Sequence, residues 1–311
     1  MQTQLSNKAP RRVSRTRTAK RPGRRGGAAA APAPRRAASR RNRHAALIGQ
    51  ATLDPITREF YCQAIRTLLA ADVQFLVGGA YAFERYTGIA RHTKDFDIFV
   101  RPEDVDRTLK VFAAAGYHTE RSFPHWLAKA FCGGDFIDVI FASGNGITRV
   151  DDDWFAHAVD AEVLGMPLKL TPPEEMIWSK AFILERERFD GADVAHVLRA
   201  QAEALDWPRL LDRFGDNWRV LLMHLTLFGF IYPCERDKIP RQVMDALLGR
   251  LRDELATPPA AERICQGTLV SREQYLVDVE RWGYDDARLR PRGNMTRRDV
   301  DHWTAAIDSK D

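Results

Sequence analysis

Asp95 and Asp97 stand two residues apart at the head of an apolar run, Asp95-Phe96-Asp97-Ile98-Phe99-Val100. Side chains on a strand alternate, so the two carboxylates project from one face, a few ångströms apart. Unit charges about 4 Å apart repel by roughly 1–4 kcal/mol, depending on local screening. A divalent cation between them removes that penalty. Oxygen-only ligands suit Mg²⁺, which takes one or two carboxylates plus substrate phosphates. Taken alone, Asp-x-Asp is more often a strand end facing water. Three other segments bear on the choice. Phe75-Leu76-Val77-Gly78-Gly79-Ala80 runs a strand into two glycines and a helix, where backbone N–H groups can approach a phosphate, though a bare Gly-Gly is also an ordinary turn. Phe136-Ile137-Asp138-Val139-Ile140-Phe141 interrupts an apolar strand with one carboxylate. An isolated charge is costly to bury there, so Asp138 faces solvent, a cation or a partner, and Asp135 is the plainer strand-edge neighbour. Lys180 lies on an apolar helix, followed by Arg186 and Arg188.

In this order, from about Ile65 to Leu198, the chain resembles the nucleotidyltransferase superfamily typified by DNA polymerase β: strand, Gly-Gly, helix, Asp-x-Asp strand, then a third strand with one Asp. Arg91-His92-Thr93-Lys94-Asp95-Phe96-Asp97-Ile98 is similar to the Arg-x-Thr-x-Asp-x-Asp lead-in of the branch that includes abortive-infection-type toxin nucleotidyltransferases. Pro173 to Lys180, with Arg186 and Asp190-Gly191-Ala192-Asp193, resembles that branch's helix after the sheet. The resemblance implies an enzyme that moves an NMP from an NTP to an acceptor hydroxyl. Asp95, Asp97 and Asp138 would then ligate Mg²⁺ or Mn²⁺ and carry catalysis, Asp138 also being able to take the hydroxyl proton. Gly78 and Gly79 would orient the phosphates, Lys180 would meet the triphosphate, and Asp190 and Asp193 would pack the helical region. Arg91 would bind nucleotide or acceptor, with a surface ion pair as the plainer alternative. Arg186 reads as structural, pairing with Asp190 at i,i+4. One departure is Gly79-Ala80, where many members have Gly-Ser, and it leaves phosphate binding to backbone N–H groups. Fold gives reaction class and not substrate, so the base and the acceptor (RNA, protein or small molecule) stay open. So do a catalytically degenerate nucleotide-binding protein, although all three carboxylates and Lys180 count against it, and a toxin with an antitoxin partner.

Charge divides the chain unevenly. Overall it carries 47 Lys+Arg against 42 Asp+Glu, but Met1 to His44 holds 14 basic residues and no acidic one. The remainder has 33 basic and 42 acidic residues, a net of −9. A basic tail over 1–45 is therefore expected beside an acidic body. With almost no large apolar residue the tail reads as disordered. It could contact nucleic-acid phosphates in a salt-sensitive way, but has no interleaved aromatics for base stacking. A solvated tail, a start site placed upstream of the true one, and an Arg/Ala/Ser-rich transit peptide are the competing readings. A nucleic-acid-binding protein acting through this tail is a further alternative to the enzyme. No run of about 18 apolar residues exists, so no membrane span is expected. Cys62, Cys132, Cys234 and Cys265 show no Cys-x-x-Cys spacing and read as free thiols in the cytoplasm.

The elements that must hold these residues follow from periodicity and punctuation. Asp54-Pro55 opens a helix to about Ala71, with Pro55 at its first position. Strands are predicted at 74–77, 96–100, 117–120, 126–131 and 136–141, with a hairpin over 163–170. Helices are predicted at 80–86, from Arg101-Pro102 to Gly116, and then at 173–189, 191–205, 207–214, 217–230 and 240–256, with short ones near 271–282 and 296–308. Asp151-Asp152-Asp153 reads as a helix N-cap, His125-Trp126 as a strand start, and Tyr81, Phe83, Trp178 and Phe182 as packing residues. The fold class is α/β (α+β), a mixed sheet with flanking helices followed by a helical region. The expected division is a nucleotidyltransferase-like core over 54–170, a helical region over 171–256 and a polar extension over 257–311.

Overall fold

A computed structural model describes residues 53–91 and 95–306. The basic tail, and His92, Thr93 and Lys94 of the lead-in, lie outside the described residues.

Helix α1 (Pro55–Ala70) begins as its sequence requires. Pro55 occupies the first turn, and the Asp54 side chain accepts from the N–H groups of Ile56 (2.9 Å) and Thr57 (3.2 Å). Tyr61, Cys62, Ala64, Ile65 and Leu68 recur at helical spacing and form its buried stripe. Strand β1 (Leu76–Val77) leads directly into α2 (Gly79–Thr87), and β2 (Phe96–Phe99) returns antiparallel beside β1. Then come α3 (Val105–Ala114), β3 (His118–Phe123), β4 (Leu127–Cys132), β5 (Asp135–Ile140), α4 (Asp152–Ala156), β6 (Val159–Val163) and β7 (Met166–Leu170). The seven strands form one mixed sheet in the order β3-β4-β5-β2-β1-β7-β6, with β2–β5 and β1–β7 parallel. Phe96, Ile98, Ile137, Val139, Ala128 and Ala130 are buried in the core, where Tyr61 of α1 and Tyr81 of α2 pack their rings on Phe96. The Asp151 carboxylate caps α4 through the N–H of Asp153, as the Asp run predicts.

The second half is helical: α5 (Pro173–Ala181), α6 (Gly191–Gln201), α7 (Trp207–Phe214), α8 (Trp218–Ile231) and α9 (Arg241–Leu255). The helix predicted over 173–189 ends at Ala181. Beyond it the backbone finds tertiary partners: Leu184 N–H donates to Val270 O (3.0 Å) and Glu185 N–H to Arg188 O (2.9 Å), so 182–190 is a loop. Glu174 and Glu175 of α5 are buried and tied to Arg209 and Arg213 of α7, and Arg213 also grips Asp151.

The polar C-terminal residues form more structure than their composition suggests. Strands β8 (Ile264–Cys265) and β9 (Asp285–Asp286) pair in parallel, followed by α11 (Arg297–Ala305), while the helix expected over 271–282 is only α10 (Leu276–Glu280). Asn145 Nδ2 donates to Leu269 O (2.6 Å), Asn294 Nδ2 to Gly146 O (2.8 Å), and Trp303 covers Gly144. Ser271 Oγ and Arg272 N–H donate to the Glu185 carboxylate at 2.8 and 3.1 Å. The four cysteines are free thiols. Among the described residues no helix is long and apolar enough to cross a membrane.

Candidate active site

The sheet brings the predicted carboxylates together. In the parallel pairing of β2 with β5, Asp97 lies opposite Asp138, and in the antiparallel pairing of β5 with β4, Asp138 lies opposite Lys129. Residues directly opposite share a face, so Asp97, Asp138 and Lys129 form a row across three strands. Asp95 enters at the start of β2, close enough for its charge to act on both Asp97 and Asp138. Burial, then the charges of Asp138 and Asp95, push the Asp97 carboxyl up to about 7, against the weaker pull of Lys180 and Arg188. Burial also raises Asp138, an effect opposed by Lys129, whose Nζ stands 2.7 Å from Asp138 Oδ1.

Gly78 and Gly79 shape this corner. Gly78 N–H donates to Asp97 O (3.0 Å), extending the strand ladder to the start of α2. Gly79 has φ +53, a left-handed conformation, and its Cα lies against the Asp97 carboxylate, leaving no room for a side chain. No side chain caps the start of α2. The first N–H groups of that helix and its positive dipole end are thus beside Asp97, the disposition that favours an anion.

The cationic flank is organised by the two aspartates at the start of α6. Lys180 Nζ lies 2.9 Å from Asp190 Oδ2 and 2.8 Å from Asp193 Oδ2. Arg188 makes a bidentate pair with Asp190 at 3.0 Å on both arms. Arg91 makes one with Asp193, its Nη1 at 2.8 Å from Oδ2, while its guanidinium lies 4.3 Å over the Phe83 ring. Burial alone would raise Asp190, but hydrogen bonding from Arg188 and the charge of Lys180 hold it below the usual carboxylate range. The Asp pair thus helps pack the helical region, as the resemblance implies, and Asp193 also ties it to Arg91 of the lead-in. The i,i+4 pairing of Arg186 with Asp190 is not formed: the segment is a loop, and Arg188 takes that carboxylate. Arg91 is engaged in the ion pair that was the plainer of its two readings. Trp178, Phe182 and Phe83 are buried core residues, and Tyr81 packs against that core. His125 Nε2 bonds Gly144 O (2.9 Å) from a turn before β4.

Two residues of this site escaped the sequence reading. Lys129 alternates with buried Ala128 and Ala130, a pattern that marks it as facing the other way, but its partner depends on strand register. Arg188 was named only as a neighbour of Lys180, yet its charge reaches Asp97.

The donor set suits a divalent cation. Asp95, Asp97 and Asp138 offer oxygen alone, the preference of Mg²⁺ and Mn²⁺. Burial is the main cause of the elevation of Asp97, and the neighbouring charges of Asp138 and Asp95, which add to it, are what such a cation would relieve. Among the described residues no three His, Cys, Asp or Glu side chains are gathered as a ready-made cage, and Lys129 holds one oxygen of Asp138.

Residues 30–222 match the model of a family described as uncharacterised nucleotidyltransferases, a match over more than half of the chain. No curated protein matches the sequence. Among solved structures, the antibiotic-resistance factor ANT(2″)-Ia is similar at 15% identity and TM-score 0.36, covering 66% of this chain and 95% of that one. The lincosamide antibiotic adenylyltransferase LnuA is similar at 14% identity and TM-score 0.33, covering 45% and 94%. An antigenic nucleotidyltransferase-like protein from Paracoccidioides brasiliensis is similar at 13% identity and TM-score 0.30, covering 64% and 88%.

Proposed function

The chain belongs to this family of uncharacterised nucleotidyltransferases, and from that premise we propose that it moves an NMP from an NTP to an acceptor hydroxyl at the Asp95–Asp97–Asp138 face. The observation that carries the reading is the seat of Asp97: its carboxylate rests on Gly79 at the uncapped start of α2, directly across the strand pair from Asp138. One corner thus offers backbone N–H groups to phosphate and carboxylates to a cation.

In this reading Asp95, Asp97 and Asp138 hold Mg²⁺, which when bound offsets phosphate charge and lowers the pKa of a hydroxyl. Backbone N–H groups from Gly79 onward orient the triphosphate, and Lys180 and Arg188 supply positive charge on the side of the departing pyrophosphate. The acceptor oxygen forms its bond to the α-phosphorus as the α–β bridging bond breaks. Its proton passes to the Asp138 carboxylate. Arg91 acts by fixing Asp193, and through it Lys180. Membership of the toxin-type branch is a finer proposal that rests on the lead-in from Arg91 to Asp97. A role of the basic tail in holding a nucleic-acid acceptor is a second finer proposal, resting on the 14 basic and no acidic residues of Met1 to His44.

The test is incubation of the purified protein with each α-labelled NTP, Mg²⁺ and a cell extract, beside Asp95→Ala, Asp97→Ala and Asp138→Ala forms of unchanged circular dichroism. Label entering RNA, protein or a small molecule with wild type alone establishes the reaction and the acceptor class. Equal labelling by wild type and Asp97→Ala refutes the assignment.

A further inference from the structure

Lys129 has a place in the site that the reaction outlined above does not use. Its ammonium is held on two sides, 2.7 Å from Asp138 Oδ1 and 4.0 Å from the centre of the Phe136 ring. Both ends of the pair are largely withdrawn from solvent, the side chains being 22% and 14% exposed. Exposed ion pairs contribute little, whereas one this enclosed holds its partners. Lys129 also stands in register with Glu120 on β3, so the row Asp97–Asp138–Lys129–Glu120 runs across four strands with charges −, −, +, −.

From this geometry we infer that Lys129 is a resident counter-ion of Asp138, which a divalent cation must displace before it can use all three carboxylates. The inference rests on the metal reading given above and concerns how the site is loaded. Before loading, Asp138 is balanced by the ammonium. On loading, Lys129 gives up Asp138 and keeps its place over the Phe136 ring, with Glu120 opposite it on β3. The exchange is one of ions only, with no bond made or broken. It gives the free protein a lower affinity for the metal than three carboxylates would otherwise command.

Mn²⁺ binding by the full-length protein, followed by the electron paramagnetic resonance signal of the free ion, tests this without recourse to turnover. Lys129→Met should bind Mn²⁺ about tenfold more tightly than wild type, the weight of one charge-assisted hydrogen bond. Lys129→Gln should agree with it, and serves if the Met form does not fold. Lys129→Arg, which keeps the charge, should bind no more tightly than wild type. In an Asp138→Asn background the gain from Lys129→Met should shrink well below tenfold, because the two residues act as a pair. Equal Mn²⁺ affinity in wild type, Lys129→Met and Lys129→Gln, or the same gain with and without Asp138, overturns the inference while leaving the metal reading intact. No Mn²⁺ binding by any form overturns the metal reading, and this inference with it.

Discussion

Gly79→Ala is the sharpest perturbation of the site, because it adds one methyl group beside Asp97, to which the proposed reaction gives a central part. A β-carbon at this position would fall 1.7 Å from Asp97 Oδ2 and 3.0 Å from Asp97 Cβ. Ordinary non-bonded separations are about 3.5 Å, so the carboxylate must retreat by more than about 1 Å. The same residue has φ +53, a conformation that costs a non-glycine residue about 1–2 kcal/mol. Two effects are therefore superposed, and Gly88→Ala separates them. Gly88 has φ +73 at the end of α2 with nothing near its would-be β-carbon, so its substitution carries the backbone strain alone. Gly88→Ala should lose about 1–2 kcal/mol of stability in urea denaturation, and Gly79→Ala at least as much, since the clash adds to the strain. Only Gly79→Ala should also lose NMP transfer, by on the order of 100-fold, the cost of a misplacement near 1 Å. The assay is transfer from an α-labelled NTP to whichever acceptor the extract reveals, without denaturant and at a temperature where both variants are folded. A Gly79→Ala enzyme as active as Gly88→Ala would refute the placement of Asp97 at the reacting centre.

Three further outcomes can be measured. With metal chelated, the elevated Asp97 carboxyl binds its proton in the folded state up to about pH 7 and in the unfolded state only to about pH 4. Its contribution to stability is therefore fully present below pH 4 and is lost as pH rises through 7. Asp97→Asn should flatten that decline, so the gap in melting temperature between variant and wild type should widen in the variant's favour from pH 5 to pH 8. Lys180→Ala should raise KM for the NTP. It should also destabilise the fold by about 1–3 kcal/mol, because Asp190 and Asp193 lose a shared partner while keeping Arg188 and Arg91; unchanged urea denaturation would refute the structural half of that role. Arg209→Ala leaves Glu174 and Glu175 buried against each other with only Arg213 nearby. Its cost should reach about 3–5 kcal/mol in urea, with a smaller loss for Arg209→Lys.

What the sequence made legible was whatever depends on local period and on a residue's own chemistry. Asp95 and Asp97 share a face because strands alternate, and Gly78-Gly79 marks a strand-to-helix corner because few other residues can turn there. What it left illegible depends on register or on distant partners. Lys129 reads as one polar residue on an alternating strand until β4 is set against β5, and only then does it meet Asp138. The helix predicted over 173–189 follows good local periodicity, but Val270, Ser271 and Arg272 claim Leu184 and Glu185 and open the loop. Once that turn is a loop, i,i+4 arithmetic no longer applies, and Arg188 displaces Arg186 as the partner of Asp190. The C-terminal residues were opaque because their elements are two to nine residues long and are fixed by contacts more than a hundred positions away.

Those distant contacts bear on where the enzyme can be cut. The recognisable family segment stops at residue 222, part-way along α8. Yet the loop that presents Arg188 and Asp190 to the site is buttressed at Leu184 and Glu185 by residues 270–272, and the loop after β5 is latched by Leu269 and Asn294. A chain trimmed at 222 would keep every residue of the active-site row and lose the braces behind its cationic wall. The heritable unit recognised by family resemblance is therefore smaller than the mechanical unit that has to be inherited whole.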